Sequence, residues 1–233
     1  MSLKLLIFDF DDTIVHTGID YPGMKQQVIQ RLIDQGYSDL INEVTPPTIS
    51  NYLRVIKEKD GTNSALYREL MEKVEVFEVE GVNKATMDPS YVDLFKEIGK
   101  DLKLALLTNN ARKAVTKLMD RFNLSGYFHL VLTRDDIPIM KPDPAGLFKI
   151  LRHFKLEPIN AIFIGDSYVD MLASKAASIP FIGVGTRWDD RDKAYKDQVN
   201  IIIQNLNEIK SLIYDKDKIH AIIDISGEDD GIN

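Results

Sequence analysis

The sequence predicts an α/β fold, a doubly wound parallel sheet covered by helices on both faces, with a helical domain inserted after the first strand. Three observations predict it. Six short runs, at 3–8, 102–107, 130–133, 161–164, 180–184 and 200–203, are almost wholly apolar and end in polar or small residues. Stretches with helical spacing separate most of them. One long segment, 16–87, carries helical patterns and no such run. Strands apolar on both sides, alternating with amphipathic helices, belong to a parallel sheet buried between two helical layers.

In chain order, the run 3–8 is the first strand and ends in Asp9, Asp11 and Asp12. The segment 16–87 follows as a helical cap. Within it Met24, Val28, Ile29, Leu32 and Ile33 share one face of 24–35, Ile49, Leu53 and Ile56 one face of 48–59, and Leu66, Leu70, Met71, Val74 and Phe77 one face of 64–77. Gly36, Pro46-Pro47 and Gly61 punctuate these helices. The stretch 76–82 also reads as a short strand, an alternative to a helix end. The second strand, 102–107, leads into a helix at 111–122 with Ala114, Val115, Leu118, Met119 and Phe122 on one side. After the third strand, Leu147, Phe148, Leu151 and Phe154 line one face of 145–154. The fourth strand precedes an alanine-rich helix at 171–177. The chain thus divides into a core of 1–15 and 88–214, a cap of 16–87, and an extension of 215–233. That extension holds a β-like run at 219–225, an edge strand or dimer contact, and an acidic end, Glu228-Asp229-Asp230, read as disordered.

Composition narrows the function. Among 233 residues the net charge is −7, which argues against general binding to nucleic acid or anionic membrane. The absence of cysteine removes disulfides, thiolate metal sites and thiol nucleophiles. No apolar run approaches ~18 residues, and the first residues do not form a signal peptide, so a cytoplasmic enzyme or binding domain is expected, as a monomer or homodimer.

Ligands of open α/β sheets bind beyond the carboxyl ends of the strands. Four polar clusters fall at such places: Asp9-Phe10-Asp11-Asp12-Thr13, Thr108-Asn109-Asn110, Lys141-Pro142-Asp143-Pro144, and Gly165-Asp166-Ser167-Tyr168-Val169-Asp170. Singly each is weak, since an aspartate after a strand is often a helix cap. In this order they are not.

The set resembles the haloacid dehalogenase superfamily, and within it the phosphatase-like members with an α-helical cap. The residues that carry the likeness are the DxDxT run 9–13, the strand ending in Thr108-Asn109, the pair Lys141-Pro142 and the GDxxxD run 165–170. The resemblance implies a Rossmann-like core and phosphoryl transfer through an aspartyl-phosphate. It makes Asp9 the nucleophile and Asp11 the acid and then base, a pair of roles a tuned carboxyl can fill. It places Mg²⁺ on Asp9 and Asp166 through their side chains and on Asp11 through its carbonyl. Asp170 sits close by, through water or by holding Lys141. Lys141, Thr108 and the Asn109 backbone N–H would hold the phosphate. By the family pattern, halide-displacing members lack an aspartate at position 11. An alkoxide leaving group needs a proton and a halide does not, so Asp11 favours phosphate chemistry.

Three positions depart from the pattern. Asp12 stands where glycine is usual and reads as a residue able to adopt φ > 0, not as a third acid. His16 reads as a hydrogen-bonded hinge, and Ser178, another glycine position, as a helix terminus. Tyr21, Arg54, Arg68, Arg187 and Trp188 are candidate substrate contacts, Arg187 for a carboxylate or second phosphate and Trp188 for stacking on a sugar or base. The expected activity is Mg²⁺-dependent hydrolysis of a small phosphorylated metabolite, of the phosphoglycolate phosphatase kind. A β-phosphoglucomutase-like mutase and a non-catalytic phosphate-binding regulator stand as alternatives.

Overall fold

The computed structural model describes residues 2–188, 193–215, 217–219 and 222. All six expected strands form: β1 (Leu5–Phe8), β2 (Lys103–Leu107), β3 (Leu130–Leu132), β4 (Ala161–Gly165), β5 (Phe181–Val184) and β6 (Ile201–Ile203). They make one sheet in the order β3-β2-β1-β4-β5-β6, every pairing parallel. Successive side chains of a strand point to opposite faces, which is why these strands are apolar throughout. Leu6 and Phe8 of β1 enter one core with Leu104, Leu106, Ile162 and Ile164. Leu5 and Ile7 enter the other with Ala105, Leu107, Ala161 and Phe163.

Between β1 and β2 lie five helices, α1 (Tyr21–Asp34), α2 (Ser38–Glu43), α3 (Ile49–Asp60), α4 (Ala65–Val82) and α5 (Ser90–Ile98). Side chains of Asp20, Thr48 and Ser64 cap the starts of α1, α3 and α4 by accepting backbone N–H bonds at 2.9, 3.2 and 3.0 Å. The first four helices bury a separate cluster built on Val28, Leu32, Leu53, Ile56 and Leu70. Helix α5 instead packs Tyr91, Leu94, Phe95 and Ile98 into the first sheet core. The two chain crossings beside the insert are tied together, for His16 and Thr86 exchange backbone hydrogen bonds at 2.8 and 2.9 Å.

The stretch 76–82 is not a strand but the last two turns of α4. Its alternation, Val74-Glu75-Val76-Phe77-Glu78-Val79-Glu80, imitates a strand. Val74, Glu78, Gly81 and Val82, three or four residues apart around one face, are the buried positions, so the helical period governs the packing.

The remaining helices, α6 (Arg112–Arg121), α7 (Ala145–Phe154), α8 (Tyr168–Ala176) and α9 (Ile209–Ile213), flank the sheet. The run at 219–225 is not extended where it is described. Asp215 Oδ1 accepts from the N–H groups of Asp217 and Lys218 at 3.1 and 3.2 Å and so starts a helical turn. Ile219 and Ile222 are helical, and Ile222 is buried in the first core. The rest of that run, and Glu228-Asp229-Asp230, lie outside the described residues. Among the described residues no helix is long and apolar enough to cross a membrane.

Candidate active site

The chain builds outward from β1 to β2 and β3, then returns to β4 on the other side. This strand order reverses between β1 and β4, and a crevice opens beyond the carboxyl ends of such a pair. Asp9 directly follows β1, Asp166 follows β4 and Thr108 follows β2. A cavity of about 560 Å³ lies there, with Asp9, Thr108 and Lys141 on its floor and Met24, Leu53 and Val74 of the helical insert in its wall.

Lys141 organises the floor. Its Nζ donates to Asp9 Oδ1 and Asp170 Oδ1, each at 2.5 Å, and to the Leu107 carbonyl at 3.2 Å. Burial opposes the charge on this ammonium, but Asp170 and Asp9 outweigh it and hold its pKa above the ordinary lysine range. Asp170 is fixed from behind, because its Oδ2 accepts from the Ser167 N–H at 3.2 Å and hydroxyl at 2.5 Å at the start of α8. Gly165 makes room for it, since a Cβ there would lie 2.7 Å from that of Asp170.

Three carboxylates converge. Asp9, Asp166 and Asp170 each offer an oxygen within 4.8 Å of the others, and all are buried. Burial pushes Asp9 up to about 7 against the pull of Lys141, with Asp170 adding to the rise. It pushes Asp166 well above the usual carboxylate range against Arg187, with Asp170 and Asp9 adding. Asp166 Oδ2 is ion-paired to Arg187 yet lacks a well-aligned hydrogen bond. An all-oxygen, carboxylate-rich set fits a hard divalent cation such as Mg²⁺.

Asp11 leaves the same loop, and burial raises it to about 6, with Asp12 adding and hydrogen bonds from Thr17 and Tyr21 opposing. Asp12 sits at φ 56°, the left-handed region in which glycine is easiest. It also does something not anticipated from sequence, pairing Arg187 through Oδ2 at 2.8 Å and lying 3.4 Å from His16 Nδ1. Arg187 thus bridges Asp12 and Asp166 rather than standing alone as an anion contact. Ser178 shares the left-handed conformation, at φ 55°.

The expectation that Trp188 stacks on a ligand does not hold. Its side chain is fully buried against Phe181 and over Gly183, where a Cβ would meet the indole nitrogen at 2.6 Å. Arg54 pairs with Glu58 on its own helix at 2.8 Å, Arg68 is exposed, and neither lines the cavity. Tyr21 does line it and donates to Asp11. The Asn109 side chain is occupied with the backbone of Lys141, donating to its carbonyl and accepting from its N–H, both at 2.9 Å. Thr108 Oγ1 accepts from the Asn110 N–H at 3.1 Å, which leaves the hydroxyl proton to donate elsewhere.

Two buried charges escaped the sequence reading. Glu78 of α4 pairs with Arg134, which follows β3, and both line the cavity. Glu78 also accepts the Ala111 N–H at 3.0 Å, so a carboxylate of the insert caps core helix α6. A signal existed for each. Glu78 interrupts the apolar face of α4, and Arg134 stands just beyond a strand end, as Asp9, Thr108 and Asp166 do.

Comparison with known proteins places this geometry in context. The family of haloacid dehalogenase-like hydrolases matches residues 6–184. Phosphoglycolate phosphatase 1 of Pseudomonas aeruginosa is 26% identical over 215 residues, which cover 88% of this chain and 78% of that protein. The phosphoglycolate phosphatase of Psychrobacter arcticus is 29% identical over 206 residues, covering 79% and 84%. Among solved structures, a HAD-superfamily hydrolase of Geobacter sulfurreducens aligns at a TM-score of 0.55 and 20% identity, over 91% of this chain and 96% of its own. A Bacillus subtilis protein solved bound to magnesium aligns at 0.58 and 18%, over 91% and 99%. These structural likenesses establish a common fold.

Proposed function

The chain belongs to the haloacid dehalogenase-like hydrolase family, and from that premise we propose that it is a phosphatase of small phosphorylated metabolites, phosphoglycolate among them, acting through an aspartyl-phosphate on Asp9. One observation carries the reading. A buried ammonium, Lys141, is held 2.5 Å from both Asp9 and Asp170 at the floor of a cavity, with Asp11 two residues from Asp9. The relatives named as phosphoglycolate phosphatases support the substrate class.

In the first half-reaction an Asp9 carboxylate oxygen attacks phosphorus and the bond from phosphorus to the ester oxygen breaks. The proton of the Asp11 carboxyl passes to that oxygen, which leaves as an alcohol. In the second, Asp11, now a carboxylate, takes a proton from water as its oxygen attacks phosphorus. The bond to Asp9 then breaks and inorganic phosphate is released. A carboxyl raised to about 6 suits both turns, because neither protonation state is costly near neutrality. Lys141 supplies a fixed positive charge to the phosphoryl oxygens and keeps Asp9 oriented. Thr108 donates its hydroxyl proton to the same oxygens.

Asp9 and Asp166, with the Asp11 carbonyl and Asp170 beside them, would hold a Mg²⁺ ion, whose charge would offset the crowded carboxylates and the phosphoryl group. Arg187 shares part of that task at Asp166 and Asp12. The insert formed by α1–α4 acts as the cap and supplies the apolar wall that excludes water.

The test is release of inorganic phosphate by the purified protein with MgCl₂ from a panel of phosphorylated metabolites that includes phosphoglycolate. Turnover that vanishes in Asp9→Asn supports the proposal. No turnover of any ester, or turnover that survives Asp9→Asn, overturns it.

A further inference from the structure

Tyr21 opens helix α1, and its hydroxyl donates to Asp11 Oδ2. The backbone N–H of Thr17 donates to the other oxygen, Asp11 Oδ1, at 3.3 Å. Each oxygen of this carboxyl is therefore held by one neutral donor, and both donors come from the segment that leads into the helical insert. Both anchors are themselves fixed. Asp20 caps α1 through the Gly23 N–H at 2.9 Å, which sets where the first helical residue lies. His16, next to Thr17, is bridged to Thr86 by two backbone hydrogen bonds. Tyr21 is exposed along part of its ring and lines the cavity, while its hydroxyl reaches Asp11.

A carboxyl that acts on a leaving group must present a chosen oxygen in a chosen plane, since loss of alignment costs far more than loss of contact. Asp11 has two free side-chain torsions, and its neighbour Asp12 is engaged with Arg187 and His16 instead.

We infer that Tyr21 is a positioning residue for Asp11, an inference that rests on the phosphatase reading and deepens it. Its hydroxyl fixes the carboxyl so that the proton given up faces the ester oxygen. It also ties that alignment to the seating of the insert on the core. The proton travels from Asp11 to the leaving oxygen as the bond from phosphorus to that oxygen breaks, and Tyr21 keeps its own proton throughout.

The inference separates from a substrate-contact or packing role by leaving-group dependence. Phenyl phosphate and p-nitrophenyl phosphate differ by one ring substituent, but phenoxide needs a proton to leave and the nitro-stabilised phenoxide needs little. Kinetics on both esters, with MgCl₂, are compared for the wild type, Tyr21→Phe, Asp11→Asn and the double variant. Tyr21→Phe keeps the ring and is expected to lower kcat on phenyl phosphate about tenfold. On p-nitrophenyl phosphate the fall is expected to stay within about twofold, with both KM values unchanged. In the Asp11→Asn background the Tyr21 substitution adds nothing, because there is no acid left to align. Equal losses on the two esters, a rise in KM alone, or a full effect on top of Asp11→Asn would each overturn the inference while leaving the phosphatase reading intact. If the wild type releases phosphate from neither aryl ester, the same comparison is read on the best metabolite ester of the panel, where a Tyr21→Phe kcat equal to wild type overturns the inference. No release from any ester overturns the phosphatase reading and this inference with it.

Discussion

Glu78 of helix α4 and Arg134 beyond β3 form an ion pair in which the two side chains are 3% and 2% exposed. It joins the helical insert to the sheet domain at the edge of the cavity. Such a pair adds little to stability compared with an apolar match of the same shape, yet removing one partner leaves the other charge buried. The two partners differ in what they can then do. Glutamate can take up a proton, whereas a guanidinium stays charged at any ordinary pH. Glu78→Ala is therefore expected to cost ~3–5 kcal/mol, since it also uncaps α6. Arg134→Met is expected to cost less. Urea denaturation of both variants at pH 7 reads the difference, and equal losses would show that the charge left behind is not what matters.

The same carboxyl gives a pH signature. Burial raises Glu78 from 4.5 to about 7, Asp11 adds to the rise, and Arg134 and the Ala111 N–H oppose it. A folded-state pKa above the unfolded one means that the folded protein binds the proton more tightly. The stabilisation is full below about pH 4.5 and is lost as pH climbs through about 7. Relative to Glu78→Gln, which does not titrate, the wild type should lose up to ~3 kcal/mol between pH 5 and pH 8. Paired denaturation curves across that range check the sign, and a difference that stays flat would count against it.

Divalent cation should act on stability as well as on turnover. Asp9, Asp166 and Asp170 crowd within 4.8 Å, and Asp166 carries much of the burial cost. In EDTA, Asp166→Asn is expected to be as stable as the wild type or more stable by ~1 kcal/mol at most, as relief of repulsion offsets loss of the Arg187 pair. With MgCl₂ a hundredfold above Kd the wild type should gain ~2.7 kcal/mol and the variant little. Thermal melts with and without MgCl₂ decide this, and equal shifts in the two proteins would rule out Asp166 as a ligand.

What was legible in the sequence follows from what is local. Leu5, Leu6, Ile7 and Phe8 are apolar on both faces of β1, and only a central strand needs that. Asp9, Thr108 and Asp166 sit at strand ends, so the topology alone brings them together. The alternation at 74–80 left two readings open because Val76 and Phe77 fit either period, and packing against α1, α3 and α6 settles it as helix. Arg187 and Trp188 are adjacent in sequence but go to opposite fates. The short 3-10 turn at 186–188 sends the indole into the core and the guanidinium to Asp12. The Glu78–Arg134 pair spans 56 positions, and no local pattern announces a partner that far away.

Asp12 separates backbone from charge. Its φ of 56° costs an ordinary side chain ~1–2 kcal/mol, and glycine would remove that cost. Its carboxylate also pairs Arg187 at 2.8 Å and stands beside His16, a partly exposed arrangement worth ~0–1 kcal/mol. The two effects oppose each other in Asp12→Gly, so stability should change by no more than ~1 kcal/mol in either direction. Asp12→Val keeps neither the charge nor an easy left-handed backbone and should lose ~2 kcal/mol or more. Activity separates the readings further. If Asp12 serves the backbone and steadies Arg187, Asp12→Gly retains turnover within about threefold. An acid used in catalysis would lose ~10²-fold or more. Denaturation curves and phosphate-release rates on the two variants make the comparison, and an inactive but stable Asp12→Gly would make Asp12 a third working carboxylate.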